Sequence, residues 1–250
     1  MTNKKEITAG IIIIGNEVLS GRTKDINTST LAIWLGSIGI EVKEVRVIPD
    51  VQSVIIETVN ILRKQFTYIF TTGGIGPTHD DITAESVANA FDADYGFHPE
   101  AYSILEKYYK PGEFNEGRQK MSKMPIDAKL ILNPTSGAPG FYIENVFCLP
   151  GVPSILKSMI GGLNNVLVGG DPIISLTISL RTVESEIAKS VTEIQKNNKN
   201  VEIGSYPFFR AGKLGVSLVL RSSEKNKIDQ CHKELLDFIK IKKIEILKED

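Results

Sequence analysis

The hydrophobic positions in the early part of the chain alternate between continuous runs and helical spacing. Residues 7–14 form a nearly unbroken apolar run, which is typical of a central parallel strand buried on both faces. In residues 27–38 the apolar side chains recur at i, i+3, i+4 and i+7, the spacing of an amphipathic helix. Residues 41–48 and 68–72 repeat the strand pattern, and Asp50 is expected to cap the helix between them. This alternation predicts an α/β fold with a doubly wound, mainly parallel sheet.

A glycine- and proline-rich segment, residues 169–172, separates two differently patterned parts of the chain. Before it, residues 129–132 and residues 141–149 predict two strands that pair as a hairpin beside the parallel sheet. After it, the pattern predicts a strand, a helix, two strands, a helix and a last strand, an order that suits a small two-layer domain. We therefore predict an α/β domain over residues 1–170 and a second, smaller α+β domain over residues 171–250.

Composition and charge exclude several classes of protein. The 250 residues carry 29 basic and 30 acidic side chains, a net charge of −1, so nothing indicates a nucleic-acid partner. No apolar run approaches the roughly 20 residues of a membrane-spanning helix, and the first residues lack a signal-peptide pattern. We therefore expect a cytoplasmic protein without a membrane partner. Cys148 and Cys231 lie far apart and fit no zinc-binding spacing, so both are expected to be reduced thiols.

The most informative segment is residues 71–83, which read Thr-Thr-Gly-Gly-Ile-Gly-Pro-Thr-His-Asp-Asp-Ile-Thr. The segment follows a short apolar strand and leads into a helical stretch, the position at which α/β proteins bind phosphate. Its glycines, Gly73, Gly74 and Gly76, allow backbone N–H groups to approach an anion closely. The segment lacks the Gly-Lys-Ser/Thr ending of a P-loop, so a kinase or ATPase is not indicated.

Two adjacent carboxylates, Asp80 and Asp81, follow these glycines. They would repel a phosphate directly, but they fit a divalent cation that lies between them and the phosphate oxygens. The neighbouring His79 could bind metal, transfer a proton, or be a bystander. The alternative for the whole segment is structural, because an Asp pair can cap a helix, and Thr83 as N-cap would leave both acids solvated.

Three further glycine-bearing loops follow predicted strands, at residues 15–23, 133–140 and 149–153. In a doubly wound sheet, the loops at the carboxyl ends of the strands converge on one crevice. The direction of the strands places the first loop and the 71–83 loop there. The other two loops join them if the predicted hairpin lies antiparallel beside the sheet.

Several side chains in these loops have both a functional and an ordinary explanation. Glu17 could complete a carboxylate cluster with the two aspartates, or it could be a solvated loop acid. Arg22 could hold a phosphate through two parallel hydrogen bonds, or it could be a surface arginine. Thr135 and Ser136 could donate hydrogen bonds to a ligand, or they could only shape their turn.

Together, the four loops resemble those of the competence/damage-inducible protein A family, which has a molybdopterin-binding-type domain. The 72–81 segment matches the second loop of that family almost residue for residue. The resemblance covers nearly the whole chain, and four motifs in the same order are specific. The other matching segments are Asn-Glu-Val-Leu-Ser-Gly-Arg at 16–22, Asn133 with Ala-Pro-Gly-Phe at 138–141, Leu-Pro-Gly-Val-Pro at 149–153, and Gly-Ser-Tyr-Pro at 204–207.

The chain departs from the family pattern at two positions. Asn16 stands where the family often has Asp, which replaces a charged metal ligand by a neutral oxygen. Ile155 stands where the family usually has Glu, which removes an acid near the mouth of the expected crevice. Longer relatives also carry an amidase domain that deamidates nicotinamide mononucleotide, and from the length of this chain we expect no such activity.

The resemblance implies three functions that fold alone does not separate. The first is a metal-dependent hydrolase of nucleoside diphosphate linkages, with ADP-ribose as the leading substrate and flavin adenine dinucleotide as a second. The alternative is a domain that binds or adenylylates molybdopterin in the biosynthesis of molybdenum cofactor. The third is a scaffold with an inactive site, which the departures at Asn16 and Ile155 keep open.

In the hydrolase hypothesis, Asp81, Asp80 and Glu17 are the catalytic residues. Asp80 and Asp81 would hold the divalent metal cofactor, which is Mg, Mn, Co or Ni. The residues expected to bind substrate are Gly73, Gly74, Gly76, Thr78, Asn133, Ser136, Gly140, Gly151 and Arg22.

The expected partner of the chain is a small dinucleotide or pterin ligand. The smaller domain contributes no catalytic signature. Its Tyr206, Phe208 and Phe209 could form an exposed aromatic interface between subunits or could pack into the core, and we expect a homo-oligomer.

Overall fold

The computed structural model describes residues 6–210 and 212–249. The chain divides into two compact units, Met1–Gly170 and Asp171–Asp250. The division falls within the glycine- and proline-rich segment 169–172.

The first unit alternates strands and helices along most of its length. Its strands are β1 (Thr8–Ile14), β2 (Glu41–Ile48), β3 (Tyr68–Thr72), β4 (Tyr95–Phe97), β5 (Lys123–Pro125), β6 (Lys129–Ile131), β7 (Gly140–Ile143) and β8 (Val146–Leu149). Its helices are α1 (Asn16–Leu19), α2 (Asn27–Ser37), α3 (Gln52–Gln65), α4 (Thr83–Ala90), α5 (Pro99–Tyr108), α6 (Glu116–Lys120) and α7 (Pro153–Ile160).

Within residues 6–170, a six-stranded sheet has the order β2–β1–β3–β8–β7–β6. β1 pairs in parallel with β2 and β3, and β3 pairs in parallel with β8. β7 runs antiparallel to β8, and β6 runs antiparallel to β7. The predicted α/β fold with a mainly parallel sheet is therefore confirmed.

The apolar run of β1 explains why the sheet is covered on both faces. Because side chains alternate along a strand, Ile12 and Ile14 enter one hydrophobic core, and Ile11 and Ile13 enter the other. The first core contains side chains of α3 and α4, and the second contains side chains of α2 and α7. The result is a three-layer unit in which β1 lies inside the sheet, between β2 and β3.

The prediction of one strand over residues 141–149 is wrong. The segment reverses at Glu144, whose φ is 48°, and forms the hairpin of β7 and β8. The Asn145 side chain donates to the carbonyl oxygens of Arg63 at 2.9 Å and Phe66 at 3.2 Å, which fixes the turn against the end of α3. No glycine or proline marks this reversal, so the sequence pattern gave no turn signal.

Asp50 does not cap α3 as predicted. Val51 is the N-cap residue, and no side chain caps this helix. The Asp50 carboxylate instead accepts a hydrogen bond from the Asn16 backbone N–H at 2.8 Å. The loop after β2 is thereby tied to the first glycine-bearing loop.

The second unit is built on an antiparallel sheet. Its elements are β9 (Ile174–Leu180), α8 (Glu184–Asn197), β10 (Glu202–Arg210), β11 (Lys213–Ser222), α9 (Lys225–Lys242) and β12 (Ile246–Glu249). In residues 171–210 and 212–249, the four strands have the order β10–β11–β9–β12. Apolar side chains of α8 and α9 pack with those of β9 and β11 in one core. Tyr206 and Phe209 on β10 are exposed by 55% and 69%, so neither belongs to that core.

No helix in these described parts of the chain combines the length and the apolar character needed to cross a membrane.

Candidate functional site

The topology of the sheet places the four loops at one edge. β1, β3 and β8 run in the same direction, so their carboxyl ends lie side by side. Because β7 is antiparallel to β8, the loop that leads into β7 lies beside the carboxyl end of β8. The 133–140 loop therefore lies beside the other three, because the chain reverses between β7 and β8 and not because residues 141–149 form one antiparallel strand.

At Gly73 the 71–83 loop meets the end of β1 and the 149–153 loop. The φ of Gly73 is +99°, and a Cβ atom there would overlap the carbonyl oxygen of Ile14, the last residue of β1. Its N–H donates to the carbonyl of Leu149 at 3.1 Å, and a Cβ atom on Gly151 would lie 3.3 Å from the Gly73 Cα. The backbones touch directly here, so position 73 requires glycine for both its conformation and its surroundings.

Gly74 links the same loop to helix α4. Its φ is +68°, and a Cβ atom there would overlap the hydroxyl oxygen of Thr83. The Thr83 N–H donates to the Gly74 carbonyl at 2.8 Å, and α4 begins at Thr83. Thr83 is not the N-cap residue, because Ile82 occupies that position. The buried Thr83 hydroxyl finds no hydrogen-bond partner within the described residues.

The two aspartates compete for one hydroxyl group. The Thr78 Oγ1 atom lies 2.6 Å from Asp80 Oδ1 and 2.6 Å from Asp81 Oδ2. A hydroxyl has one hydrogen to donate, so only one of these carboxylates can receive it. The Thr78 N–H also donates to Asp81 Oδ2 at 2.7 Å, and that oxygen lies against Gly76. The carboxylate oxygen that receives no hydrogen faces a lone pair of the Thr78 hydroxyl, and a bound cation would offset the repulsion between them.

The charge state of Asp80 fits a cation ligand. Its hydrogen bond from Thr78 lowers the pKa of the Asp80 carboxyl below the usual value, a contact with its own backbone adds to this, and the charges of His79 and Lys120 act in the same direction. The side chain is exposed and ionised at neutral pH. Magnesium and similar ions bind one or two carboxylates together with phosphate oxygens, so the Asp80–Asp81 pair is a suitable donor set.

Glu17 does not complete the predicted carboxylate cluster. It lies on α1 and folds back over its own loop, so that a Cβ atom on Gly15 would be 2.5 Å from Glu17 Oε1. In residues 6–210 and 212–249, no group of three or more His, Cys, Asp or Glu side chains is arranged to hold a metal ion. The two adjacent aspartates remain the carboxylate pair of this site.

The third loop is closed by its own side chains. The Asn133 amide nitrogen donates to Ser136 Oγ at 2.7 Å and to the Ala138 carbonyl at 2.8 Å. The Asn133 amide oxygen accepts from the N–H groups of Thr135 at 3.0 Å and Ser136 at 3.1 Å. Asn133 is buried, and this network shapes the turn. Ligand contacts from Asn133 and Ser136 stay predictions.

Gly140 and Gly151 act through close backbone approach. A Cβ atom on Gly140 would lie 2.5 Å from the Cys148 carbonyl oxygen, so glycine permits the pairing of β7 with β8. The Gly151 carbonyl accepts from the Asn27 side chain at 2.8 Å. Sequence analysis did not assign Asn27 to the site, because it reads as an ordinary helix start. The Asp25 carboxylate accepts from the Asn27 N–H at 2.9 Å, which leaves the Asn27 side chain available for the fourth loop.

Arg22 and His79 are both exposed. Arg22 follows α1 in the turn of the first loop, and His79 lies between Thr78 and the aspartates. Lys120, which sequence analysis missed, reaches the loop from α6, where its ammonium group donates to the Thr78 carbonyl oxygen. Nothing in the hydrophobic pattern pointed to this contact, because 42 residues separate the two positions.

The two units of the chain match two different protein families. Residues 10–168 match the family described as the probable molybdopterin binding domain, and residues 172–248 match the FAD synthase, middle domain. A protein of Archaeoglobus fulgidus is 33% identical over 217 residues, which cover 87% of this chain and 92% of that protein.

A putative competence-damage inducible protein of Clostridium botulinum is 29% identical over 236 residues, which cover 88% of this chain and 56% of that protein. Among solved structures, the protein CinA from Thermoplasma acidophilum is similar, with a TM-score of 0.59 and 29% identity over 64% of this chain and 98% of that chain. The chain therefore belongs to the probable molybdopterin-binding domain family and is a CinA-like member of it.

Proposed function

We propose that the first unit binds a phosphorylated pterin of the molybdopterin type at the edge where its four loops meet. The observation that carries this proposal is the contact of three backbone segments at Gly73, in the same loop as an aspartate pair that shares one hydroxyl donor. The match of residues 10–168 to a probable molybdopterin binding domain supports the same class of ligand.

The residues of the chain divide the work of binding between backbone and carboxylates. The peptide groups from Gly74 to Gly76 form the part of the loop on which a phosphate would rest, because the Gly73 N–H already donates to Leu149. Asp80 and Asp81 would hold a divalent cation, since two ionised carboxylates leave ligand positions for phosphate oxygens. Such a cation would neutralise charge on the phosphate and lower the pKa of a bound water.

A second candidate is hydrolysis of a nucleoside diphosphate linkage, with ADP-ribose as the leading substrate. The observation that favours it is the pairing of this domain with a second unit that matches the middle domain of FAD synthase. In that reaction water adds to one phosphorus atom, the bridging P–O bond breaks, and the products are AMP and ribose 5-phosphate. The aspartate pair would have the same cation-holding role in both candidates.

The two candidates are separated by one panel of assays on the wild-type protein and Asp81→Asn. Binding of a pterin phosphate is followed by quenching of pterin fluorescence, with added Mn²⁺ or with chelator. Release of AMP is followed for ADP-ribose, flavin adenine dinucleotide and NAD under the same conditions. The control variant is Asp127→Asn, which removes an exposed carboxylate from the same unit.

We expect Mn²⁺-dependent pterin binding that falls by about 100-fold in Asp81→Asn and is unchanged in Asp127→Asn, since the variant loses one of two charged ligands. Turnover of ADP-ribose with the same dependence would establish the hydrolase instead. Equal binding and equal turnover by wild type and Asp81→Asn would contradict both candidates.

A further inference from the structure

Helix α6 lies against the loop that carries the aspartate pair. A Cβ atom on Gly117 would make ordinary contact with Pro77, 3.6 Å from its carbonyl oxygen, and the next turn brings Lys120 to the Thr78 carbonyl. These two contacts lie three residues apart and so face the same side of the helix. Helix α6 therefore contacts the loop at Pro77 and Thr78.

Helix α6 is also held by contacts that do not involve Lys120. The Asn115 side chain caps the helix by accepting from the Arg118 N–H at 3.1 Å. The Arg118 guanidinium lies 4.1 Å from the centre of the Tyr109 ring and also donates to the Glu113 carbonyl. These contacts fix α6 without the help of Lys120, so the helix needs no ammonium group to stay in place.

We propose that Lys120 is a phosphate-binding residue of this site and supplies the cation that draws an anionic ligand to the Asp80–Asp81 loop. The inference rests on the proposed function, because it assigns a residue to the same ligand. It brings a lysine of α6 to a loop that contributes two carboxylates.

The geometry favours a ligand role over a purely structural one. An ammonium group has three hydrogens, and the Thr78 carbonyl uses one of them. A backbone carbonyl needs only a neutral donor, so the positive charge is surplus to that contact. Thr78, whose carbonyl Lys120 contacts, is hydrogen-bonded to both aspartates, so Lys120 lies near the pair that would hold the metal. Its half-buried side chain leaves the head group only partly surrounded by protein.

This placement gives opposite consequences for the two kinds of ligand. The Lys120 charge repels a divalent cation at the aspartates and attracts the phosphate that the cation would bind. Removing the charge should therefore strengthen binding of a metal ion alone and weaken binding of a phosphate anion. A residue that only supported the loop would weaken both when it was lost.

The test uses the full chain and three variants, Lys120→Met, Lys120→Arg and Lys123→Met. Lys123 is a matched control, because it is another half-buried lysine of the same unit, with its ammonium group 4.7 Å from the centre of the Phe97 ring. Calorimetric titrations measure the Kd for MnCl2 alone and the Kd for inorganic pyrophosphate at saturating MnCl2. A urea unfolding curve for each variant verifies that it folds.

We expect Lys120→Met to bind MnCl2 about two- to fivefold more tightly, because one like charge is removed from a solvated site. We expect it to bind pyrophosphate at least about tenfold more weakly, since a charge-assisted hydrogen bond is lost. Lys120→Arg should keep pyrophosphate binding within about threefold of wild type. Lys123→Met should match wild type in both titrations.

Two results would overturn the assignment of Lys120 while leaving the proposed function intact. One is wild-type affinity of Lys120→Met for pyrophosphate, and the other is a parallel loss of affinity for both MnCl2 and pyrophosphate. A wild-type protein that binds neither MnCl2 nor pyrophosphate would instead overturn the proposed function, and the assignment of Lys120 with it.

Discussion

Two glycine-bearing loops at the same edge of the sheet use their polar side chains in opposite ways. In the 133–140 loop, each polar atom of the Asn133 amide has a partner inside the loop. In the 71–83 loop, the carboxylates of Asp80 and Asp81 share the single hydroxyl hydrogen of Thr78. The 133–140 loop is complete without a ligand, whereas the 71–83 loop is left with unmatched negative charge. Capacity for a ligand therefore follows from how polar groups are satisfied, and residue type alone does not reveal it.

The largest expected effect is a loss of stability on substitution of Gly73, in the backbone of the 71–83 loop. We expect Gly73→Ala to destabilise the protein by about 3 kcal/mol or more, because the new Cβ meets the Ile14 carbonyl oxygen and the backbone has positive φ. Gly21→Ala is the matched control, since its φ is +73° but no atom lies within 4 Å of the added Cβ. That variant should lose only about 1 kcal/mol in urea unfolding. Equal losses would mean that strain, and not the meeting of the loops, fixes Gly73.

An intermediate effect on stability is expected from the third loop. We expect Asn133→Ala to lower the free energy of unfolding by about 2–3 kcal/mol, because the buried amide loses its hydrogen bonds and the N–H groups of Thr135 and Ser136 lose their acceptor. Asn133→Asp keeps an acceptor for Thr135 and Ser136 but loses the donated bonds, so it should be the milder change. Urea unfolding of both variants measures this difference. If Asn133→Ala instead kept wild-type stability and lost pyrophosphate binding, the contrast between the two loops would be wrong.

The smallest expected effect is the change with pH in the stability that Asp80, in the 71–83 loop, contributes to the fold. The pKa of Asp80 is lowered in the folded chain from 3.8, so ionised Asp80 stabilises the fold above that pH, and the contribution is lost as pH falls through the folded value. In chelator, the difference in urea midpoint between wild type and Asp80→Asn should be constant above about pH 5 and should shrink below about pH 4. Asp127→Asn should show no such trend. A difference that persists undiminished at low pH would exclude the carboxylate charge as its source.

The parts of the fold that could be predicted were those with a periodic or glycine-based signal. The apolar run of β1 and the helical spacing of α2 gave their elements directly, because burial on one or two faces determines those patterns. The hairpin of β7 and β8 was not foreseen, because its turn uses Glu144 in a conformation that usually marks Asn or Gly.

The candidate site was predictable in its backbone and less so in its side chains. The glycines of the 73–76 segment were identified because strand, turn and helix follow one another there. The folding of Glu17 over Gly15 and the reach of Lys120 to Thr78 depend on tertiary packing, which local spacing does not encode. The same holds for Asp50, whose carboxylate binds the Asn16 N–H and not the helix that follows it.

The contact of three backbones at Gly73 also limits how this protein can be redesigned. Main-chain atoms are the same in every residue, so no side-chain substitution can reshape a surface that is formed by backbone atoms. A change of ligand preference therefore has to come from side chains around this backbone contact, and α6 places side chains beside the loop. Substitutions that aim to change ligand preference should therefore be made in the segment from Asn115 to Lys120, and the glycines of the 71–83 loop should be kept.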